Sequence, residues 1–232
     1  MPQQFLHGVE VIQVDDGIRP IRIVKSSVIG IVGTAPDAVA ADFPLNTPIL
    51  IEGPRKAAGL GNAGTLKDAY EAIYAQGASV AVMIRVEEGV DAATTLANVV
   101  GTATQGSGLW GLMNAQSVLD LTPRILCAPG FTSTTPGDPA SPVITNLISV
   151  AERIRAVVIA DGPNTSETDA RSERGNWGSD RLFLVDPAVR VFDTNTATYV
   201  TRPASAYVAG LIAKRDIEKG FWWSPSNQVI RG

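Results

Sequence analysis

Residues of a type that does chemistry are few in this chain, and they are scattered. His7 is the one histidine and Cys127 the one cysteine. A Ser-His-Asp or Cys-His relay needs its histidine beside the nucleophile. His7 instead lies in the apolar stretch F-L-H-G-V-E-V-I-Q-V near the N-terminus and reads as an exposed edge-strand histidine. One histidine and one cysteine cannot build a histidine-cluster or zinc site. Cys127 follows the apolar run R-I-L and reads as a buried small hydrophobe. Two aspartates stand where α/β enzymes place catalytic carboxylates: Asp161 after the apolar run 157–160, and Asp186 after 182–185. As a pair they could do acid–base work or hold Mg²⁺. Aspartate before Gly-Pro or before Pro is also ordinary turn chemistry, and that is the stronger reading. The glycines of S-V-I-G-I-V-G-T-A-P follow neither G-x-G-x-x-G nor G-x-x-x-x-G-K-[ST], and Pro36-Asp37 occupies the place where a phosphate-binding helix would begin. We therefore expect no catalytic residue, no metal and no cofactor. The alternative is an α/β enzyme with a carboxylate site near Asp161 and Asp186.

The elements that would position these residues are clearer. With 232 residues, 45% apolar and 18% charged, the chain can bury a substantial core as one large domain or two small ones. The net charge of −4 comes without a basic block, which removes the usual footprint of a nucleic-acid binder. No run of eighteen apolar residues predicts a membrane-inserted helix, and the N-terminus shows no secretory signal pattern. A single cysteine allows no internal disulfide and suits synthesis in a bacterial cytoplasm.

Residues 5–14 alternate as a strand, with Phe5, His7, Val9 and Val11 on one face and Ile12 and Val14 on the other. A turn at Asp15-Asp16-Gly17 leads to a second short strand at 21–24. Such a terminal strand can pair within its own domain or add to a neighbour's sheet edge. Residues 27–35 are apolar with little alternation and predict a central buried strand. Further strands are expected at 49–51, 79–86, 124–128, 157–160, 182–185, 189–192 and 198–200. Helices are expected at 55–59, 65–76, 91–100, 114–121, 142–154, 167–174 and over the first half of 202–232, with Thr65 and Ser141 as caps. The segment 102–111 reads as a loop. Strand–helix alternation from residue 27 to 214 predicts an α/β fold with a mixed sheet, parallel pairs and right-handed crossovers. The chain divides into an N-terminal arm (1–20), an α/β region (21–201) with a candidate seam near 131–142, and a closing segment (202–232).

That closing segment organises the rest. Ala204, Tyr207, Val208, Leu211 and Ile212 form one apolar helical stripe, and Pro203 suits the first turn. Gly220 suits the stop. Phe221-Trp222-Trp223 then either fills a local core or anchors the chain on a neighbour. The run Val229-Ile230 reads as the start of a strand, so the closing domain looks unfinished.

The stretch P-A-S-A-Y-V-A-G-L-I-A-K-R-D-I-E-K-G-F-W-W-S-P-S-N resembles the P-S-G-x-V-A-G-x-Y-A-R-T-D-x-x-R-G-V-W-K-A-P-A-N segment of phage contractile tail sheath proteins. Pro203, Val208, Gly210, Asp216, Gly220, Trp222, Pro225 and Asn227 stand where that family has them, as do Ala209 and Ala213. At the other end, F-L-H-G-V-E-V and S-S-V-I-G are similar to the opening of the P2-like and R-type pyocin branch. The resemblance implies a structural subunit of a virion or bacteriocin particle. Copies would form stacked hexameric rings around an inner tail tube, bounded by a baseplate and a tail terminator. Contraction would drive the tube through a cell envelope. It implies that residues 5–14 act as an arm joining neighbouring subunits. It also implies a further C-terminal sheath domain beyond Gly232, so the C-terminal domain is expected to be incomplete.

Overall fold

The computed structural model describes residues 27–78, 80–133, 141–193 and 197–232. The expected arm, with Phe5, His7, Val9, Val11, Ile12 and Val14, lies outside the described residues, as does most of the candidate seam.

Six strands form one sheet: β1 (Ile29–Thr34), β2 (Pro48–Ile51), β3 (Ala81–Val86), β4 (Ile125–Cys127), β5 (Val157–Asp161) and β6 (Leu182–Val185), in the spatial order β2-β3-β1-β4-β5-β6. Every pair is parallel except β2 on β3. The register sets Ile29 beside both Ala81 and Ile125, and Val158 beside Leu182. Two further strands, β7 (Val189–Asp193) and β8 (Thr198–Arg202), make a separate antiparallel ribbon.

The apolar run of β1 has no polar face because helices cover both sides of the sheet. Ile29, Ile31, Met83, Ile125, Cys127 and Ile159 point to one side, where α2 (Leu66–Ala75) and α7 (Ala204–Lys219) pack through Tyr70, Ile73, Tyr207 and Ala209. Val32, Val82, Ile84, Leu126 and Val158 point to the other. There they meet α3 (Ala92–Val100), the 3₁₀ turn Gly108–Asn114 and α5 (Pro142–Ile154) through Val99, Leu112, Val143, Leu147 and Val150. Each of these aliphatic side chains stabilises the fold by about 1.5–3 kcal/mol on burial. Shorter helices complete the fold: α1 (Pro54–Ala57), α4 (Ala115–Leu119) and α6 (Glu167–Gly175).

The glycines of the β1 run serve packing. A Cβ at Gly30 would lie 2.9 Å from Leu126 and Pro123, and one at Gly33 would lie 2.4 Å from the Thr65 hydroxyl. That hydroxyl does not cap α2 as expected. It accepts a hydrogen bond from the Thr34 N–H (3.2 Å), tying the helix start to the strand end. Ser141 precedes α5 without a side-chain cap, and Pro142 opens the helix. The second half of the expected 102–111 loop enters the 3₁₀ turn, where Leu109 and Leu112 are fully buried. Residues 229–232 form no strand, and Val229 is exposed.

In its first half α7 is buried on more than the one predicted stripe: Ala204, Ser205, Ala206, Ala209 and Gly210 are buried together with Tyr207. Small residues allow this, since they let α7 approach both α2 and the sheet. At Gly210 a Cβ would come within 2.9 Å of the Ile73 Cα and carbonyl oxygen. Because the obstacle is backbone, a side chain there must push the helices apart. Gly210→Val is expected to lower stability by about 2 kcal/mol, read as the urea midpoint at unchanged slope.

Candidate assembly interface

The carboxylate pair is not joined into a catalytic site. Asp161 ends β5 on the face covered by α7 and is buried. It accepts hydrogen bonds from the Ser205 N–H (2.7 Å), the Ser205 hydroxyl (2.7 Å) and the Thr132 hydroxyl (3.1 Å). Its own N–H donates to Thr132 Oγ1 (2.9 Å). The N-cap residue of α7 is Pro203, which has no side-chain acceptor to offer, so Asp161 caps that helix from a different strand. Burial raises the Asp161 carboxyl above the ordinary carboxylate range, against the lowering effect of the Ser205 and Thr132 hydrogen bonds.

Asp186 is engaged elsewhere. It accepts from the Asn164 N–H (2.7 Å), and Asn164 Oδ1 in turn accepts from the Ala188 N–H (3.0 Å). A depression of about 200 Å³ is lined by Asp161, Gly162, Asn164 and Val185, but Asp186 does not line it. Both aspartates therefore hold turns and helix ends in place. Cys127 is fully buried, and burial with the nearby Asp161 charge pushes its thiol up, so it stays neutral and unreactive.

The motif residues of the closing segment divide into two groups. Pro203 is the half-buried N-cap residue of α7, Val208 packs half-buried against the core, and Gly210 is buried. Gly220 ends the helix with φ 101°, its N–H bonded to the Asp216 carbonyl (2.9 Å). Asp216 is half-buried in the last turn, and burial raises its carboxyl. From there on the chain is exposed. Phe221, Trp222 and Trp223 are 70%, 71% and 53% accessible, so the local-core reading of this triplet does not hold. Phe221 meets Trp222 edge to face at 5.3 Å, and the Arg215 guanidinium lies 5.7 Å from the Trp223 ring. Beside them a groove of about 400 Å³ is lined by Ile125, Val157, Ile159, Ile212, Asp216 and Phe221. Pro225 is half-buried and Asn227 exposed with φ 58°.

Two features have no counterpart in the sequence reading. Buried Gln76, on α2's C-cap, exchanges hydrogen bonds with the backbone of Arg231: its Oε1 accepts from the Arg231 N–H (2.9 Å), and its Nε2 donates to the Arg231 carbonyl. This clasp holds the closing segment on the α2–α7 surface. The ribbon of β7 and β8 presents a second aromatic pair, Phe192 and Tyr199, at 5.3 Å, with Arg190 over the Tyr199 ring. Alternation of F-D and T-Y-V along these strands was the available signal. Large unburied apolar residues gathered in patches mark a surface that meets another molecule.

Comparison with known proteins points to one family. Residues 111–232 match the phage tail sheath protein central domain. Residues 26–86 match the domain III N-terminal region of the tail sheath protein Gp18. The chain is 40% identical to a prophage major tail sheath protein of Pseudomonas aeruginosa (strain UCBPP-PA14) over 98% of its length and 58% of the relative's. It is 34% identical to the tail sheath protein of Escherichia phage P2, covering 98% of the chain and 59% of that protein. In fold it resembles the helical sheath of the anti-feeding prophage in its contracted state, with a TM-score of 0.55 at 17% identity over 98% of this chain and 58% of that one. The chain thus spans a little under three fifths of the relatives it matches. The central-domain match runs over 111–232, more than half of the chain, and the chain belongs to the phage tail sheath protein family.

Proposed function

We propose that this chain is a structural subunit of a contractile tail sheath and acts without catalysis. Copies associate as stacked hexameric rings around an inner tail tube, between a baseplate and a tail terminator, in a virion or bacteriocin particle. Contraction of that stack drives the tube through the target envelope. The observation that carries the reading is the surface-borne aromatic triplet at the end of a helix whose buried half matches the family segment. Three adjacent aromatics left more than half accessible are an anchor awaiting a partner. Energy for contraction comes, on this reading, from interfaces between copies that are better packed in the shortened state, with no bound nucleotide. Negative-stain electron microscopy of the purified protein tests it. Rings or tubes are expected, and dispersed monomers at high concentration count against it.

The arm belongs to the same proposal. Phe5, His7, Val9, Val11, Ile12 and Val14 add as a strand to a neighbour's sheet edge, supported by their alternation. Deleting residues 1–14 is expected to leave the circular dichroism spectrum and melting temperature of the subunit unchanged while abolishing rings and tubes. Assembly that survives the deletion removes the arm from the mechanism.

A further inference from the structure

The loop between β3 and α3 reads E-E-G-V-D, residues 87–91. Val90 at its tip is 100% accessible, and Glu87, Glu88 and Asp91 around it are exposed. The loop is rigidly held. The Asn98 side chain donates to the Glu87 carbonyl (3.0 Å), the Gly89 N–H donates to Thr95 Oγ1 (3.0 Å), and Asp91 caps α3 by accepting from the Thr94 N–H (2.6 Å). It is a preorganised knob, apolar at its tip and acidic at its base.

A matching depression of about 370 Å³ lies between the 3₁₀ turn and the end of α5. Leu112, Met113 and Ile154 contribute its apolar part, and Arg124, Arg153 and Arg155 contribute three cations, with no carboxylate in the lining. Two of these arginines are held in place. Arg124 donates to the carbonyls of Ile154 and Arg155, and the Arg153 guanidinium lies 5.0 Å from the Trp110 ring. Among the described residues, none of these six charges takes part in an ion pair.

Topology puts the two features at opposite ends of the molecule. The knob follows the C-terminal end of β3, while Arg124 and Arg155 precede the N-terminal ends of β4 and β5, and β3, β1, β4 and β5 all run parallel. A knob cannot reach the depression of its own chain, so the two can meet only between copies. We infer that the knob at 87–91 of one copy seats in the Arg124–Arg153–Arg155 depression of the next, a head-to-tail contact that rests on the self-assembly proposed above. Such a heterologous contact repeats, generating a ring or a helical filament and leaving no closed dimer. Charge complementarity selects partner and register, and the Val90 tip supplies the desolvated centre.

The experiment is a charge swap read by sedimentation velocity in 50 mM salt, with electron microscopy alongside. Arg153→Glu/Arg155→Glu and Glu87→Lys/Glu88→Lys are each expected to weaken self-association about tenfold or more. The fourfold variant, with both ends reversed, is expected to regain association to within a few-fold of wild type. All six side chains except Arg124 are exposed, and Arg124 is left intact so that folding is preserved. Wild-type association that both double variants retain, or a fourfold variant weaker than either, overturns the pairing, as does a wild-type chain that stays monomeric. Rings or tubes that persist in the double variants sink this contact and leave the sheath reading standing. Charge-dependent association into open filaments without rings or tubes sinks the sheath reading and leaves the contact, whereas a charge-dependent closed dimer overturns the head-to-tail pairing.

Discussion

Trp222→Ala/Trp223→Ala is expected to melt within about 2 °C of the wild type and to form no rings or tubes. In the free subunit these rings are 71% and 53% accessible, so truncating them removes little packing from the fold. Their partners within the chain are modest: an edge contact with Phe221 and an Arg215 guanidinium over the Trp223 face. A buried aromatic anchor at a protein interface, by contrast, is worth about 2–4 kcal/mol. Losing two weakens each contact by about three to six orders of magnitude, and in a polymer every subunit carries the loss. Thermal melting and electron microscopy on the same preparation separate the two effects. A variant that unfolds on truncation would place the rings in the subunit core, and a variant that assembles normally would remove them from the interface. Phe221→Ala serves as an internal comparison, because Phe221 also lines the groove with Val157 and Ile212 and is expected to cost some stability as well as assembly.

The same contrast shows what a single sequence discloses. Strands β1, β3 and β5 were legible because sheets covered on both faces produce unbroken apolar runs, and α2 and α5 because their stripes are regular. The family segment from Pro203 to Asn227 was legible as a pattern of residue types. What stayed hidden depends on tertiary placement. Thr65 has the sequence position of a cap but bonds to the Thr34 N–H, a partner brought near by β1. Val229-Ile230 has strand composition, yet the Gln76–Arg231 clasp holds that stretch irregularly on the helix surface. The aromatic triplet reads equally as core or anchor, because exposure is set by what the rest of the chain leaves uncovered. The acidic knob is invisible as a site in sequence: E-E-G-V-D is an ordinary loop until the parallel strand order sets it opposite three arginines.

Asp161→Ala is expected to lower stability by about 3–4 kcal/mol. Three terms add. The Ser205 N–H loses the acceptor that caps α7, worth about 1 kcal/mol. The Ser205 and Thr132 hydroxyls are left in a site where Thr132 and Ser205 are fully buried, and unpaired buried groups cost about 1–3 kcal/mol. The volume of the carboxyl is lost as a cavity between β5 and α7. Because α7 carries the exposed triplet, loosening its first turn is also expected to reduce assembly, in contrast with the tryptophan variant, where stability is unchanged. Asp161→Asn separates shape from charge: its amide keeps one acceptor for the Ser205 N–H, and the hydroxyls can turn to accept, so a loss of about 1 kcal/mol is expected. The pH dependence has a definite sign. Burial raises the folded-state pKa of Asp161 above its unfolded value, so the carboxyl's protonated form favours folding. That contribution is fully present below the unfolded pKa and is lost as pH rises through the folded one. Denaturant midpoints of the wild type and Asp161→Asn should therefore diverge in favour of the wild type as pH is lowered from 7 toward 4. A gap that shrinks with acidification would mean that the Ser205 and Thr132 hydrogen bonds outweigh burial and hold the carboxylate ionised.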